Sequence, residues 1–324
     1  MIITRTPFRV SFCGGGSDIP QYYKEYGGAV LSSTINKYVY LSLHPYFQDG
    51  YLLKYSNYEH VEDVNKIKHN IIREVFKKYN ISSVDFNSSS DIPSGTGMGS
   101  SSAFTSGLIN LCTSYLSSFK SKEDIAKESC EVEIDILKHP IGKQDQYSCA
   151  IGDLNFIEFK ADDSVTINSI CMNSIKKQEL SDNLLLFYTG ITRDTNIILK
   201  QQIINLNLSK DKTKLMHKIV GLTSDLRKEL INDNIDSIGS VLHENWMYKK
   251  ELANSISSQF IDENYELALK NGAIGGKILG AGGGGFFLFY AKKENHGKLR
   301  KALSHLKELD FNLESSGTSV IYSN

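Results

Sequence analysis

The stretch DIPSGTGMGSSSAF, Asp91 to Phe104, places glycines at 95, 97 and 99, then three serines, then the start of an apolar run. Glycine costs backbone entropy and is used where φ must be positive or a ligand must come close to the main chain. From Phe104 the apolar residues Phe104, Leu108, Leu111, Cys112, Tyr115 and Phe119 recur at helical spacing. The reading is a glycine loop that opens directly into a helix, with Ser100, Ser101 and Ser102 in its first turn. A helix N-terminus has free N–H groups and a favourable dipole, which suits an anion and above all phosphate. The plainer alternative is a turn with serine caps. Three alternating glycines behind Pro93 favour the phosphate loop. It is not a Walker A loop, because no Gly-Lys-Ser/Thr follows at the required spacing.

Outward from that loop, the 324 residues suit two domains, and the formal net charge of −1 offers no basic field for nucleic acid. LSKDKTKLMHK, Leu208 to Lys218, is the most basic run and reads as a solvated helix connection. Five cysteines without a CxxC pair fit free thiols in a reducing compartment. MIITRTPFRV reads as a strand rather than a signal peptide, and even GFFLFYA is too short to span a membrane. A soluble, cytoplasmic protein is expected.

Phe8, Val10 and Phe12 alternate with Arg9, Ser11 and Cys13, the period of a half-buried strand that ends at Gly14-Gly15-Gly16. A second strand runs through Leu43. Residues 61–79 read as helical and Val84 to Ser90 as a strand feeding the glycine loop. A helix over roughly Lys122 to Leu137 is broken by KHPIGKQDQY, which starts another, and LNFIEF follows as a strand. LLLFYTG, from Leu184, opens the second half. Helices are expected across about 195–230, 234–255 and 259–271, then a strand, a glycine hinge and a strand in KILGAGGGGFFLFYA. A helix near 294–308 and a closing strand TSVIY complete the chain. Trp246 lies at helical spacing and reads as core.

Three segments in order, TPFRVSFCGGGSD, PSGTGMGSSSA and KILGAGGGGFF, resemble the GHMP kinases, the superfamily of galactokinase, homoserine kinase and mevalonate kinase. The closer likeness is to kinases of D-glycero-D-manno-heptose 7-phosphate. It rests on GGGSDIPQYYKEYGGAVLSSTINKYVYL, GKQDQYSCAIGD and YTGITRDTN. GMGSSSA departs from the more usual GLGSSAA but keeps both serines, and Met for Leu is a tolerable core exchange. The resemblance implies an α+β fold of two domains, N-terminal α/β over 1–175 and C-terminal ferredoxin-like over 176–324, with the active site in the cleft between them. It also implies a left-handed βαβ crossover in the first domain, against the usual hand.

The resemblance implies that ATP and Mg²⁺ serve transfer of a phosphoryl group to the anomeric hydroxyl of the sugar phosphate, toward nucleotide-activated heptose. Nucleic acid and membrane are not expected partners. Pro93, Gly95, Gly97, Met98, Gly99 and Ser100 to Ser102 would hold ATP, with Ser101 as a Mg²⁺ ligand. Among Glu131, Glu133 and Asp135, ideal helical spacing puts the first and third on one face; the family's spacing selects Glu133. Asp145, otherwise a plausible helix cap, becomes the base, and Arg9 would act on it electrostatically and stabilise the transferred group. Gly15, Gly16, Ser17, Asp18 and Gln144 would face the sugar, and Gly282 and Gly283 would close the cleft. Lys143 and Arg193 would grip the phosphate already on the substrate. A kinase of an unphosphorylated sugar such as fucose or galactose, or a non-catalytic sugar sensor, is the competing reading.

Overall fold

The computed structural model describes residues 1–192 and 195–324. The first half runs β1 (Ile2–Cys13), α1 (Pro20–Tyr26), β2 (Gly28–Pro45), β3 (Tyr51–Lys54), β4 (Tyr58–Val61), α2 (Asn70–Lys78), β5 (Val84–Ser90), α3 (Ser100–Tyr115), α4 (Lys122–Cys130), α5 (Gln144–Ile151), β6 (Leu154–Phe159) and β7 (Val165–Ser169). The second runs α6 (Ser174–Asp182), β8 (Leu184–Tyr188), α7 (Thr195–Leu208), α8 (Lys210–Ile231), α9 (Ser237–Lys250), α10 (Gln259–Lys270), β9 (Ala273–Ile278), β10 (Phe286–Ala291), α11 (His296–Ala302), β11 (Lys307–Leu309), β12 (Leu313–Glu314) and β13 (Ser319–Ser323).

Among the described residues, nine strands form the first sheet, whose main path is β13-β1-β2-β5-β3-β4. The eighteen-residue β2 organises it: residues 28–33 pair with β6 and residues 39–45 with β5, while β1 runs along most of its other edge. β3 and β5 are parallel neighbours joined through β4 and α2. The second sheet is antiparallel in the order β11-β8-β10-β9. With helices filling the β8–β9 and β10–β11 connections, that order is the ferredoxin-like arrangement. The unbroken apolar run Phe286–Ala291 is explained by burial on both faces. Leu288 and Tyr290 join the core of the first half, and Phe287, Phe289 and Ala291 pack with Trp246 and Tyr265.

Four expectations are corrected. Only Asn70–Lys78 of the 61–79 segment is α-helix, because β4 reaches Val61 and a short 3-10 turn covers Val64–Lys66. The 195–230 helix is two helices, divided at Ser209, whose side chain accepts from the Lys212 N–H and caps the second. The 294–308 helix stops at Ala302, since Lys307–Leu309 pairs with β8. The unit expected over 176–324 does not keep its last strands: β12 pairs with β2 and β13 with β1, so the chain closes inside the first sheet. A two- to five-residue strand carries too little pattern to name the edge that will accept it.

Candidate active site

The glycine loop lies where β1, α3 and α5 meet. Gly95, Gly97 and Gly99 all take positive φ, 75°, 80° and 77°, and Gly99 is the N-cap of α3. No side chain caps that helix. Its first N–H groups therefore stay available to an anion. Ser100, Ser101 and Ser102 line the cleft there, as do Pro93, Gly95, Gly97 and Gly99, whereas the Met98 side chain is buried in the core.

Arg9, only 2% exposed, ties this loop to α5. Its Nη1 donates to the Gly97 carbonyl at 2.7 Å, and Nε and Nη2 donate to Asp145 Oδ1 at 2.8 and 2.6 Å. All of the arginine's recorded contacts on Asp145 fall on one oxygen. Oδ2 accepts no hydrogen bond among the described residues, and the Asp145 side chain keeps 26% of its surface open. The carboxylate is held in orientation through one oxygen, and Asp145 lines the cleft.

Glu133 is fully buried, and its oxygens accept from Ser101 Oγ at 2.5 Å, Ser102 Oγ at 2.7 Å and Gln146 Nε2 at 2.7 Å. Glu131 is drawn outward to Lys78 at 2.7 Å, and Asp135 is exposed. The reason is local: Glu131–Ile136 forms a π-turn after α4, with Leu137 N–H bonding Val132 O. That wider turn breaks the ideal 3.6 spacing and sends Glu133 alone inward. Burial raises the Glu133 carboxyl above its usual value, against the three hydrogen bonds, and Asp145 adds to the rise. A raised carboxyl contributes stability at low pH that is lost as pH rises through its folded value. The buried carboxyl thus contributes less to the fold as pH rises, and Glu133→Gln should melt at the same or a higher temperature at pH 7. A clear drop in melting temperature would show that the ionised carboxylate is itself stabilising.

Asp18, 2% exposed, accepts from the N–H of Gly16 and of Gln144, both at 3.0 Å. Burial raises its carboxyl as well. It joins the glycine turn after β1 to the start of α5, and Gly15, Gly16 and Gln144 line the cleft beside it. The opposite wall comes from the second half: Leu199, Gln202, Lys249, Lys277, Gly280 and Ala281. Lys277 is 1% exposed and donates to the Ser11 carbonyl at 2.9 Å. Burial, then the neighbouring Lys249, holds its amine well below the usual lysine value. At the far end, Tyr55, His69 and Phe104 line the cleft, the His69 ring stacked on Phe104 with centroids 5.0 Å apart.

Several expected residues lie elsewhere. The Ser17 hydroxyl is spent on the Ala29 backbone, donating to its carbonyl at 3.0 Å and accepting from its N–H at 3.1 Å. Lys143 is outside the cleft lining, bonded to Asp163 at 2.7 Å with its ammonium over the Tyr23 ring. Gly282 and Gly283 pack against Ile256, leaving Gly280 and Ala281 at the cleft. Arg193 lies outside the described residues. Sequence reading missed Ser11, Gln202, Lys249 and Lys277. Ser11 and Lys277 stood within quoted motif segments, but nothing in those segments marked either as a cleft residue.

The cleft measures about 1080 Å³, at the upper end of the roughly 300–1,000 Å³ of ligand sites. Among the described residues, no helix is long and apolar enough to cross a membrane. The chain is similar to known proteins over both halves. Residues 65–153 match the GHMP kinases N terminal domain and residues 226–308 the GHMP kinases C terminal domain. The D-glycero-alpha-D-manno-heptose 7-phosphate kinase of Campylobacter jejuni is 32% identical over 97% of each chain. Among solved structures, a D-glycero-D-manno-heptose 1-phosphate kinase from Bacteroides thetaiotaomicron superposes with a TM-score of 0.81 at 22% identity over the whole of both chains. The galactokinase of Lactococcus lactis, complexed with galactose, reaches 0.78 at 14% identity over 98% and 94%. Two matched domains and a full-length relative at that identity, around a glycine loop braced by a buried arginine, make the chain a member of the GHMP kinases.

Proposed function

We propose that the protein transfers the γ-phosphoryl group of ATP to the C1 hydroxyl of D-glycero-D-manno-heptose 7-phosphate. The observation that carries this reading is the bracing of Asp145 by Arg9 beside the uncapped N-terminus of α3. The acceptor oxygen attacks phosphorus as its proton passes to Asp145 Oδ2, and the bond to the ADP oxygen breaks. Arg9 offsets charge on the transferred group, and the loop N–H groups and helix dipole receive the triphosphate. The aromatic wall of Tyr55, His69 and Phe104 suits the flat base of the nucleotide.

Mg²⁺ fits the residues present: one buried carboxylate, Glu133, beside the Ser101 hydroxyl at the loop is the sparse oxygen set that this ion takes together with phosphates. When bound, the ion neutralises phosphate charge. Ser101 and Glu133 would orient that end of the nucleotide, so Ser101→Ala and Glu133→Gln should both raise the Mg²⁺ needed for half-maximal rate.

The choice of sugar rests on the Campylobacter relative. The test is ADP release with heptose 7-phosphate, free heptose, fucose and galactose, followed by identification of the product. One cationic grip on the remote phosphate is worth roughly 1.5–3 kcal/mol. That corresponds to about a 10- to 100-fold preference in kcat/KM for the 7-phosphate over free heptose. Equal values would favour a kinase of unphosphorylated sugars, and sugar binding without turnover would favour a sensor.

A further inference from the structure

Three buried polar atoms around the turn after β1 have no hydrogen-bond partner among the described residues: Ser11 Oγ, Gln144 Oε1 and Gln202 Nε2. Buried polar atoms are nearly always paired, so each exception asks for a cause. Gln146 Oε1, Asn245 Nδ2 and Trp246 Nε1 are also unpaired, but none of these residues lines the cleft. The first three residues all do, and they flank the same two-glycine turn, Ser11 and Gln144 beside Gly15 and Gln202 beside Gly16. A Cβ placed on Gly15 would lie 3.7 Å from Ser11 Oγ and 3.6 Å from Gln144 Oε1; one placed on Gly16 would lie 3.0 Å from Gln202 Nε2. Ser11 is 3% and Gln202 1% exposed, so bulk water does not satisfy them.

We propose that Ser11 and Gln202 are specificity-determining residues that read hydroxyl groups of the acceptor, with Gln144 completing the set; this rests on the sugar-kinase reading above. The chemistry suits the hydroxyl groups of a sugar. The Gln202 amide nitrogen needs an acceptor and the Gln144 oxygen needs a donor, and a hydroxyl serves as either. An apolar group would leave all three unmet. Small glycines at 15 and 16 bring the ligand within reach of all three. Ser11 lies on β1 and Gln202 on α7, so the bound sugar touches both halves of the molecule.

The test uses the full-length protein with the sugar that the wild type turns over fastest. Gln202→Met and Ser11→Ala should each lower kcat/KM for that sugar by about 10- to 100-fold, because a site built for hydrogen bonding is left unpaired. The KM for ATP should stay within about twofold. The melting temperature without ligand should hold or rise, since an unpaired buried polar group has been removed. A merely structural role would lower the melting temperature and raise the KM for ATP as well, and that result overturns the proposal. So does a kcat/KM within twofold of wild type in both variants, even when the sugar panel succeeds; a panel with no turnover fails the kinase reading instead. Should Gln202→Met not fold, Ser11→Ala and monodeoxy sugars carry the test. One deoxy sugar should lose as much with wild type as the parent sugar loses with Ser11→Ala, and lose nothing further when the two are combined. Full additivity for every deoxy sugar would overturn the assignment.

Discussion

Asp145→Asn should lower kcat by about 10²–10⁴, the range for losing a positioned acid–base group. Asparagine keeps the shape and can still meet Arg9 through its amide oxygen. What disappears is the basic oxygen: Oδ2, which accepts no hydrogen bond among the described residues in a side chain that lines the cleft, becomes an amide nitrogen. The affinity for ATP should change little, because the loop and the α3 N-terminus are untouched. Arg9, 2% exposed, loses its counter-charge, so some loss of stability is expected too. Removing one partner of a buried pair costs up to about 3–5 kcal/mol, less here because Asp145 is partly open to solvent. Assays below the variant's melting transition, with ATP binding measured by titration, separate chemistry from unfolding. A rate within a few-fold of wild type would remove Asp145 from the mechanism.

Gly97→Ala should disable the nucleotide loop by steric means. A Cβ at Gly97 would lie 2.5 Å from the Leu279 carbonyl oxygen, and one at Gly280 would lie 2.6 Å from Gly97 Cα. The two glycine runs, nearly two hundred residues apart in sequence, meet backbone to backbone across the cleft. With φ at 80°, alanine also carries roughly 1–2 kcal/mol of left-handed strain. Forcing the backbones apart adds about 1–3 kcal/mol. A destabilisation of about 2–5 kcal/mol is expected, together with weaker ATP binding, because the displaced Gly97 carbonyl is also the anchor for Arg9. Gly221→Ala is the control. That helical glycine has nothing within 4 Å of its Cβ position, and alanine there should hold or raise stability. Gly97→Ala with wild-type melting and ATP affinity would mean that the loops separate freely.

The phosphate loop was legible because its determinants are local. Alternating glycines followed by serines favour positive φ and a loop that opens directly into a helix, and the structure has both. Asp145 and Arg9 could be named from their motifs, but neither motif says that one aspartate oxygen would be held and the other left open. The inward carboxylate among Glu131, Glu133 and Asp135 was beyond ideal helical spacing, since a π-turn sets its direction.

By itself, then, the sequence determined the parts whose causes act over a few residues: the glycine loop and its helix, and β1 and β10 as strands. That β1 is buried on both faces, Arg9 and Ser11 included, rather than half-buried as its alternation suggests, is set by the packing around it. Only the tertiary structure decided what fills the cleft. Lys277 reaches the Ser11 carbonyl from another domain, and Gln202 meets the Gly16 turn from α7. Ser17 and Lys143, adjacent in sequence to residues of the site, are turned to Ala29 and Asp163. The short β12 and β13 return to the first sheet. Backbone sterics and side-chain periodicity are short-range and leave a mark in sequence. Which polar groups face one another across a cleft depends on long-range packing, and a lone serine, glutamine or lysine carries no record of it.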